Sequence, residues 1–296
     1  MHNNGIENEN QIITEINGKK IEDLSPNFKE PIKGMFKYQK DGDVIVAKKV
    51  SNWIGCKTDI EIYLDNYYHN ISIKSGFGPA VHEEEFDSFY EFLRTLHISR
   101  YTLDTIKFYH YADGSLSGIG TKTLRLDEFK EKYSDRIAKA NEELNQDEIV
   151  KAVIYRTIIK GRKEKNQEIN YLYYGNANEG VFIRRVDILD YAYKLPCYDN
   201  KAIHFGPLVY AQKIHRKKVV DGKVVQYSQL SWPNIKEGVL KIKELSLEGA
   251  SFKEQKVIEE PKKEEKKKIT KKELIIVGLC FAICLILLVC VITLRR

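Results

Sequence analysis

A long uncharged apolar run near the end of the chain constrains this sequence more than any other feature. Residues 274–294 read LIIVGLCFAICLILLVCVITL and contain no charged residue and no proline. About 20 apolar residues, each rising about 1.5 Å, span the hydrocarbon core of a bilayer. Because lipid offers no hydrogen-bond partners to the backbone, such a segment must be helical. The sequence therefore predicts a single transmembrane helix over residues 273–294.

The flanking charges predict the orientation of that helix. Seven lysines lie in residues 262–272, before the apolar run, whereas only Arg295 and Arg296 follow it. Positively charged flanks stay in the cytoplasm, so we expect a C-terminal membrane anchor with the preceding residues in the cytoplasm. The first residues lack the basic and apolar segments of a signal peptide. Residues 253–272 form a charged linker, which either lies on anionic headgroups or is a solvated spacer.

The basic character of the chain is concentrated in its tail. The net charge of the whole chain is +6. Residues 253–296 hold nine lysines and two arginines against six glutamates, which leaves residues 1–252 with a net charge of +1. The overall charge is therefore weak evidence for nucleic-acid binding. The five cysteines include no CxxC pair, which argues against a thiolate zinc site.

The body of the chain has the pattern of an α+β protein with a mixed sheet. Residues 1–24 are polar and are expected to form a flexible N-terminal arm, and residues 25–252 to form one globular domain. Alternating apolar residues predict strands, and apolar residues at helical spacing predict helices. The first part reads βββαβ, with strands at 44–50, 58–64, 69–74 and 105–111 and a helix at 83–96. The elaborated C-terminal half adds helices at 126–144, 147–159, 186–193 and 234–246, strands at 168–174 and 180–186, and a hairpin around Asp221-Gly222.

The hairpin predicted over residues 58–74 carries an acid and a lysine at its two ends. Asp59 opens its first strand, and Ser72-Ile73-Lys74 ends its second. A helix and a further strand are predicted to follow. Residues 40–112 thus resemble the core of the PD-(D/E)xK nuclease superfamily, in which an Asp opens one strand and an acid-x-Lys sequence ends the other. The resemblance implies that Asp59, Ser72 and Lys74 form a catalytic set.

One position departs from the superfamily pattern. Ser72 stands where the second acid is usual, and some members with such a serine recruit an acid from the following helix. The resemblance then implies that Asp59, with Asp87 or Glu83, binds Mg²⁺, which prefers carboxylate oxygens, water and phosphate as ligands. Lys74 would stabilise developing negative charge or orient the attacking water. A surface hairpin with a polar face explains the same residues without catalysis.

Three basic clusters provide candidate contacts to a nucleic-acid backbone. Tyrosines are abundant in the chain, and basic residues interleaved with aromatic ones suit contacts to phosphates and stacked bases. Solvated charges on helix and hairpin surfaces explain the same pattern. The candidate residues are Arg162, Lys163, Arg184, Arg185, Arg216 and Lys217.

The sequence leaves three classes of function open. One is a membrane-tethered, Mg²⁺-dependent nuclease that acts on DNA or RNA at the cytoplasmic face. Another is a non-enzymatic tail-anchored adaptor whose head binds a protein or a nucleic acid. The third is a membrane-surface scaffold that uses the lysine-rich linker. The first two are distinguished by whether Asp59, Lys74 and an acid from residues 83–91 lie close together.

We predict that deletion of residues 270–296 releases the head from membranes without unfolding it, because the apolar run supplies the anchor. In vesicles whose cytoplasmic face points outward, added protease should digest the head of the full chain. The measurement is protease protection with immunodetection of the head. A head protected inside the vesicles would contradict the orientation.

Overall fold

The computed structural model describes residues 4–37, 40, 42–50, 56–76, 80–120, 123–161, 168–220 and 223–258. Within these ranges, the side chains of residues 4, 212–225 and 250–258 are outside the description. The predicted transmembrane helix over residues 273–294 and the predicted linker beyond residue 258 also lie outside the described residues.

Helices and strands alternate in groups along the chain, which divides into the units Met1–Gly249 and Ala250–Arg296. The helices are α1 (Asn4–Ile16), α2 (Pro26–Met35), α3 (Phe86–Arg94), α4 (Arg100–Tyr111), α5 (Leu126–Lys132), α6 (Ser134–Leu144), α7 (Asp147–Ile154), α8 (Arg185–Tyr191) and α9 (Ile235–Ile258), and a π-helix over Tyr155–Lys160 continues α7. The strands are β1 (Val46–Lys49), β2 (Ile60–Leu64), β3 (Tyr67–Lys74), β4 (Ala80–Glu85), β5 (Tyr171–Gly175), β6 (Gly180–Arg184), β7 (His204–Phe205), β8 (Leu208–Val220) and β9 (Lys223–Ser231).

The first sheet is mixed and has the strand order β1-β2-β3-β5-β6. Strands β1, β2 and β3 form an antiparallel meander, in which Asp65 takes a left-handed conformation (φ 52°) at the β2–β3 turn. Strand β5 pairs with β3 in parallel, so that Ile71 faces Tyr171 and Lys74 faces Tyr174. A parallel pair needs a crossover connection, and residues 75–170 supply it.

Helices α1 and α2 cover one face of this sheet. Their buried side chains pack on the inward residues of β1, β2 and β3, and we call this set the N-terminal cluster. The flexible arm predicted for residues 1–24 was therefore wrong over α1. The polar composition concealed an amphipathic helix, because few but regularly spaced apolar residues are enough to bury one face. The main members of the cluster are Ile12, Ile16, Phe28, Ile32, Ile60, Ile62, Ile71 and Ile73.

The second sheet is antiparallel and has the strand order β4-β9-β8-β7. A larger set of buried side chains joins this sheet to helices α3, α4, α6 and α7 and to the other face of the first sheet, and we call it the central cluster. Its largest fully buried members are aromatic. They include Phe86, Phe89, Tyr109, Phe129, Phe205 and Tyr210.

The helix predicted over residues 83–96 begins later than expected. Residues 80–85 form β4, so Glu83 lies on a strand and α3 starts at Phe86. Three consecutive glutamates disfavour a strand locally. Glu84 is nevertheless buried there, because the guanidinium of Arg156 pairs with its carboxylate. Tertiary charge pairing thus overrides local propensity at this position.

The strand predicted over residues 105–111 was wrong, because these residues form the second half of α4. The hydroxyl of Ser99 caps this helix by accepting a hydrogen bond from the backbone N of Thr102 at 3.3 Å. Leu103, Ile106 and His110 are buried at helical spacing. The βββαβ order is therefore replaced by four strands followed by two helices.

The α+β class is confirmed. The helices predicted over 126–144 and 147–159 and the strands predicted over 168–174 and 180–186 are present within a few residues of the predicted bounds. Strands β8 and β9 pair as the predicted hairpin, and its Asp221-Gly222 turn lies outside the described residues. Each of these segments carries a regular apolar pattern. Local pattern and tertiary environment agree in such segments, which is why they are readable from sequence.

We predict that Ile16→Ala lowers the free energy of unfolding by about 2–5 kcal/mol, the usual cost of such a truncation in a core. Ile16 is 0% exposed, whereas Ile6 on the same helix is 38% exposed. The control Ile6→Ala should therefore change stability by about 0.5 kcal/mol or less. Urea unfolding followed by the fluorescence of buried Trp232 measures both. Equal effects of the two variants would mean that α1 does not contribute to the core.

Candidate active site

The ends of the β2–β3 hairpin bring three predicted residues together. Oδ2 of Asp59 accepts hydrogen bonds from Oγ of Ser72 at 3.0 Å, from the backbone N of Ile73 at 2.6 Å and from Nζ of Lys74 at 3.3 Å. The side chains of Lys74 and Asp59 are 19% and 18% exposed. One carboxylate is thus held against one ammonium group at the edge of solvent.

Strand pairing accounts for this convergence. The backbone N–H of Asp59 donates to the carbonyl of Ile71 at 2.9 Å, which sets the position of Asp59 beside β3. Successive side chains on a strand point to opposite faces. Ser72 and Lys74 therefore share one face of the sheet, while Ile71 and Ile73 enter the N-terminal cluster on the other.

Lys57 brings a second ammonium group to the same place. Its Nζ donates to the carbonyl of Val81 at 2.7 Å, and the residue is buried. Burial, with a contribution from the charge of Lys74, lowers the pKa of Lys57 to about 7. Sequence reasoning did not identify this residue. The available signal was its position two residues before Asp59, because alternate residues of an extended chain share a face.

Strand β4 contributes a further wall to a cavity of about 220 Å³. Glu83 reaches this cavity from a strand rather than from the predicted helix. Asp87 is exposed on α3 and does not line it. Asp59 therefore shares this cavity with Glu83 and not with Asp87. Its functional lining consists of Cys56, Lys57, Asp59, Lys74, His82 and Glu83.

A buried ion pair supports the β4 wall from behind. The side chain of Glu84 is 0% exposed, and its carboxylate accepts hydrogen bonds from Nε of Arg156 at 3.0 Å and from Nη2 of Arg156 at 2.7 Å. Nε2 of His82 donates to the same carboxylate at 2.8 Å. Arg156 belongs to the π-helix after α7, a type of distortion that is frequent at functional sites.

These contacts shift the pKa values of both β4 groups. Burial by itself raises the pKa of Glu84, but the hydrogen bonds from His82 and Arg156 outweigh it and lower the pKa to about 2. Burial lowers the pKa of His82 to about 4, and the charge of Lys57 acts in the same direction. At neutral pH the Glu84 carboxylate is therefore ionised and the His82 imidazole is neutral.

The cavity offers a modest set of ligands for Mg²⁺. Among the described residues, no group of three or more His, Cys, Asp or Glu side chains is placed to hold a metal ion. Two carboxylates nevertheless suit Mg²⁺, because this ion keeps several waters and completes its coordination with substrate phosphates. Asp59 and Glu83 are the two carboxylate residues that line this cavity.

Of the basic candidate residues, the two whose side chains the structure describes, Arg184 and Arg185, do not line this cavity. Arg184 is paired with Asp187 at 2.7 Å, and Arg185 is paired with Glu168 at 2.7 Å, so both charges are already partly neutralised. Arg162 and Lys163 lie outside the described residues. Arg216 and Lys217 belong to β8, in a part of the strand whose side chains are outside the description.

Comparison with known proteins gives no further assignment. No family model, curated protein or solved structure matches this chain. Within the part of the chain that the structure describes, every helix is too short or too polar to cross a membrane.

We predict that Arg156→Ala lowers the free energy of unfolding by about 3–5 kcal/mol, because it leaves the buried Glu84 carboxylate without its main partner. The control Arg94→Ala removes an exposed pair with Glu91 and should cost about 1 kcal/mol or less. Urea unfolding at neutral pH measures both variants. A small effect of Arg156→Ala would show that the ion pair does not support β4.

The same pair predicts a pH dependence. The pKa of Glu84 in the folded state, about 2, lies below the ordinary value of 4.5, so the unfolded chain binds more protons between these values. The stabilisation is fully present above about pH 4.5 and is lost as the pH falls toward about 2. Arg156→Ala should therefore flatten the fall in stability over this window, as measured by urea unfolding at several pH values.

Proposed function

We propose that this protein is a metal-dependent nuclease whose catalytic site is the cavity between the β2–β3 hairpin and β4. The observation that carries this proposal is the convergence of Asp59, Lys74 and Glu83 on one cavity. An acid at the start of one strand, a lysine at the end of the next and a further acid nearby are the elements that the superfamily resemblance requires.

The strand arrangement gives the proposal additional support. The resemblance calls for a helix and a fourth strand after the hairpin, which the sequence placed at residues 83–111. Strand β5 lies beside β3 instead, and α7 with its π-helix precedes it. On this proposal the nuclease core is interrupted, and residues 80–146 are an insertion that contributes β4 and its glutamate to the site.

The chemistry follows from the groups in the cavity. Asp59 and Glu83 would hold Mg²⁺, which when bound polarises the scissile phosphate and lowers the pKa of an attacking water. Lys74 places an ammonium group beside Asp59, where it stabilises negative charge that develops on the phosphoryl oxygens. Lys57 also lines the cavity and places a second amino group there.

Ser72 has a positioning role on this proposal. A serine hydroxyl carries no charge, so it cannot replace the missing second acid as a strong metal ligand. Its hydrogen bond to Oδ2 of Asp59 instead orients the carboxylate. Glu83 supplies the second negative charge from β4, which explains why the hairpin itself needs only one acid.

Membrane attachment belongs to the same proposal. The apolar run over residues 274–294 would anchor the protein with its head in the cytoplasm, so that the nuclease acts on DNA or RNA near the inner surface of the membrane. The anchor limits which nucleic acids reach the site, because only molecules close to the bilayer can enter the cavity.

A second function is favoured by one specific observation. Oδ2 of Asp59 already accepts three hydrogen bonds, and Lys57 and Lys74 both line the cavity. A site with this balance can bind a phosphate group without cleaving the ester. The protein would then be a tail-anchored adaptor that binds nucleic acid or a phosphorylated partner.

We predict that the purified full-length protein cleaves nucleic acid only with Mg²⁺ or Mn²⁺, and that Asp59→Asn and Lys74→Met each lower the rate about 10²–10³-fold. Asp59→Asn keeps an acceptor for the Ile73 backbone, so it preserves the hairpin better than alanine does. Asp87→Asn is the matched control, because Asp87 does not line the cavity. Cleavage of labelled single- and double-stranded substrates, with and without EDTA, measures the rates.

The outcomes separate the two functions. Metal-dependent cleavage that survives Asp87→Asn but not Glu83→Gln supports the nuclease and identifies its second acid. A folded protein that binds nucleic acid without cleaving it supports the adaptor. Unchanged rates in Asp59→Asn and Lys74→Met would contradict the assignment of this cavity.

A further inference from the structure

A second cavity has a volume of about 420 Å³, against about 220 Å³ for the proposed catalytic cavity. Ser75 and Gly76, which line it, directly follow Lys74 in the chain. Tyr174 also lines it and faces Lys74 across the parallel β3–β5 pair. Neighbouring strands lie about 4.8 Å apart and paired residues point to the same face. The two cavities are therefore adjacent on one face of the sheet.

The walls of this second cavity suit a flat aromatic ligand. The phenol ring of Tyr174 forms one wall, and Val181, Val239 and Leu240 add apolar side chains. Oη of Tyr174 donates to the carbonyl of Gly76 at 2.9 Å, which holds the ring in place. The backbone of Gly76 is left-handed (φ 77°), a conformation that glycine adopts without strain.

Charged groups at the cavity point to the same ligand. Lys236 of α9 lines the cavity and has no ion-pair partner among the described residues. An ammonium group beside an apolar cavity suits a phosphate attached to an apolar ring. Glu179 also lines the cavity, and its carboxylate can accept a hydrogen bond from an amino group at the edge of a base.

We propose that this cavity binds one unpaired base of a single-stranded nucleic acid whose adjoining phosphodiester occupies the Asp59–Lys74 cavity. Lys236 then contacts a neighbouring phosphate. The inference rests on the proposed function and names its substrate class. A base inside a duplex is stacked on both sides and must leave the stack to enter such a cavity, so single strands bind in preference to duplexes.

The test measures binding separately from cleavage. The full-length protein is titrated, in EDTA, against three fluorescent 12-nucleotide probes: a mixed-sequence single strand, an abasic strand of the same length and the corresponding duplex. One stacked base is worth about 1–3 kcal/mol, so the single strand should bind about 5- to 150-fold more tightly than the abasic strand. The duplex should bind no more tightly than the abasic strand.

Two variants test whether this cavity is responsible. Leu240→Trp fills the cavity. This variant should bind the base-bearing single strand as weakly as the abasic strand, and its affinity for the abasic strand should equal that of the wild type. Leu247→Trp is the matched control, since Leu247 lies on the same helix, is 60% exposed and does not line the cavity. Lys236→Ala should weaken binding of both single-stranded probes and reduce the salt dependence by about one ionic contact.

The results distinguish this inference from the proposed catalysis. If binding depends on the base and is lost in Leu240→Trp, the cavity assignment is supported. If the protein also shows no metal-dependent cleavage, the proposed nuclease activity is contradicted. Cleavage with equal affinity for base-bearing and abasic strands overturns the cavity assignment alone. The assignment is also overturned if Leu240→Trp binds the single strand like the wild type, or if the protein binds none of the probes.

Discussion

The parallel pairing of β3 with β5 is the contact on which the rest of this structure depends. It joins residues about 100 positions apart, and two hydrogen bonds between Asn70 and Asn170 help to fix its register. The backbone N of Asn70 donates to Oδ1 of Asn170 at 2.8 Å, and the backbone N of Asn170 donates to the carbonyl of Asn70 at 2.8 Å. Because β3 is also paired with β2, a shift of β5 by one residue would turn the side chains of β5 to the opposite face of the sheet. Tyr174 would then no longer share a face with Lys74.

The candidate site is held by two coupled sets of charges. In the first, the carboxylate of Asp59 lies between Lys74 and the hairpin backbone, with Lys57 close by. In the second, Glu84 and Arg156 form a buried pair behind β4. Strand β4 connects them, because its Val81 carbonyl accepts the hydrogen bond from Lys57. Disturbing the buried pair is therefore expected to change the electrostatics of the cavity as well as stability.

Regular apolar patterns account for most of what was predictable in the fold. The β2–β3 hairpin and the helices of residues 126–160 carry such patterns, and their local and tertiary preferences agree. The predicted flexible arm was wrong at α1, where polar residues outnumber the buried ones. The predicted strand was wrong at residues 105–111, because a short apolar stretch fits the period of a helix as well as that of a strand. The predicted helix was also wrong at β4, where a distant arginine makes a glutamate-rich strand stable.

The sequence by itself determined the α+β class, the acid and the lysine at the ends of one hairpin, and the apolar run of residues 274–294. These features depend on periodicity and composition, which are local properties. Only the tertiary structure decided that Glu83, and not Asp87, shares a cavity with Asp59, that Lys57 is buried beside them, and that Tyr174 lies next to Lys74. Each of these facts depends on contacts between residues far apart in the chain, and no local pattern encodes the distances between them.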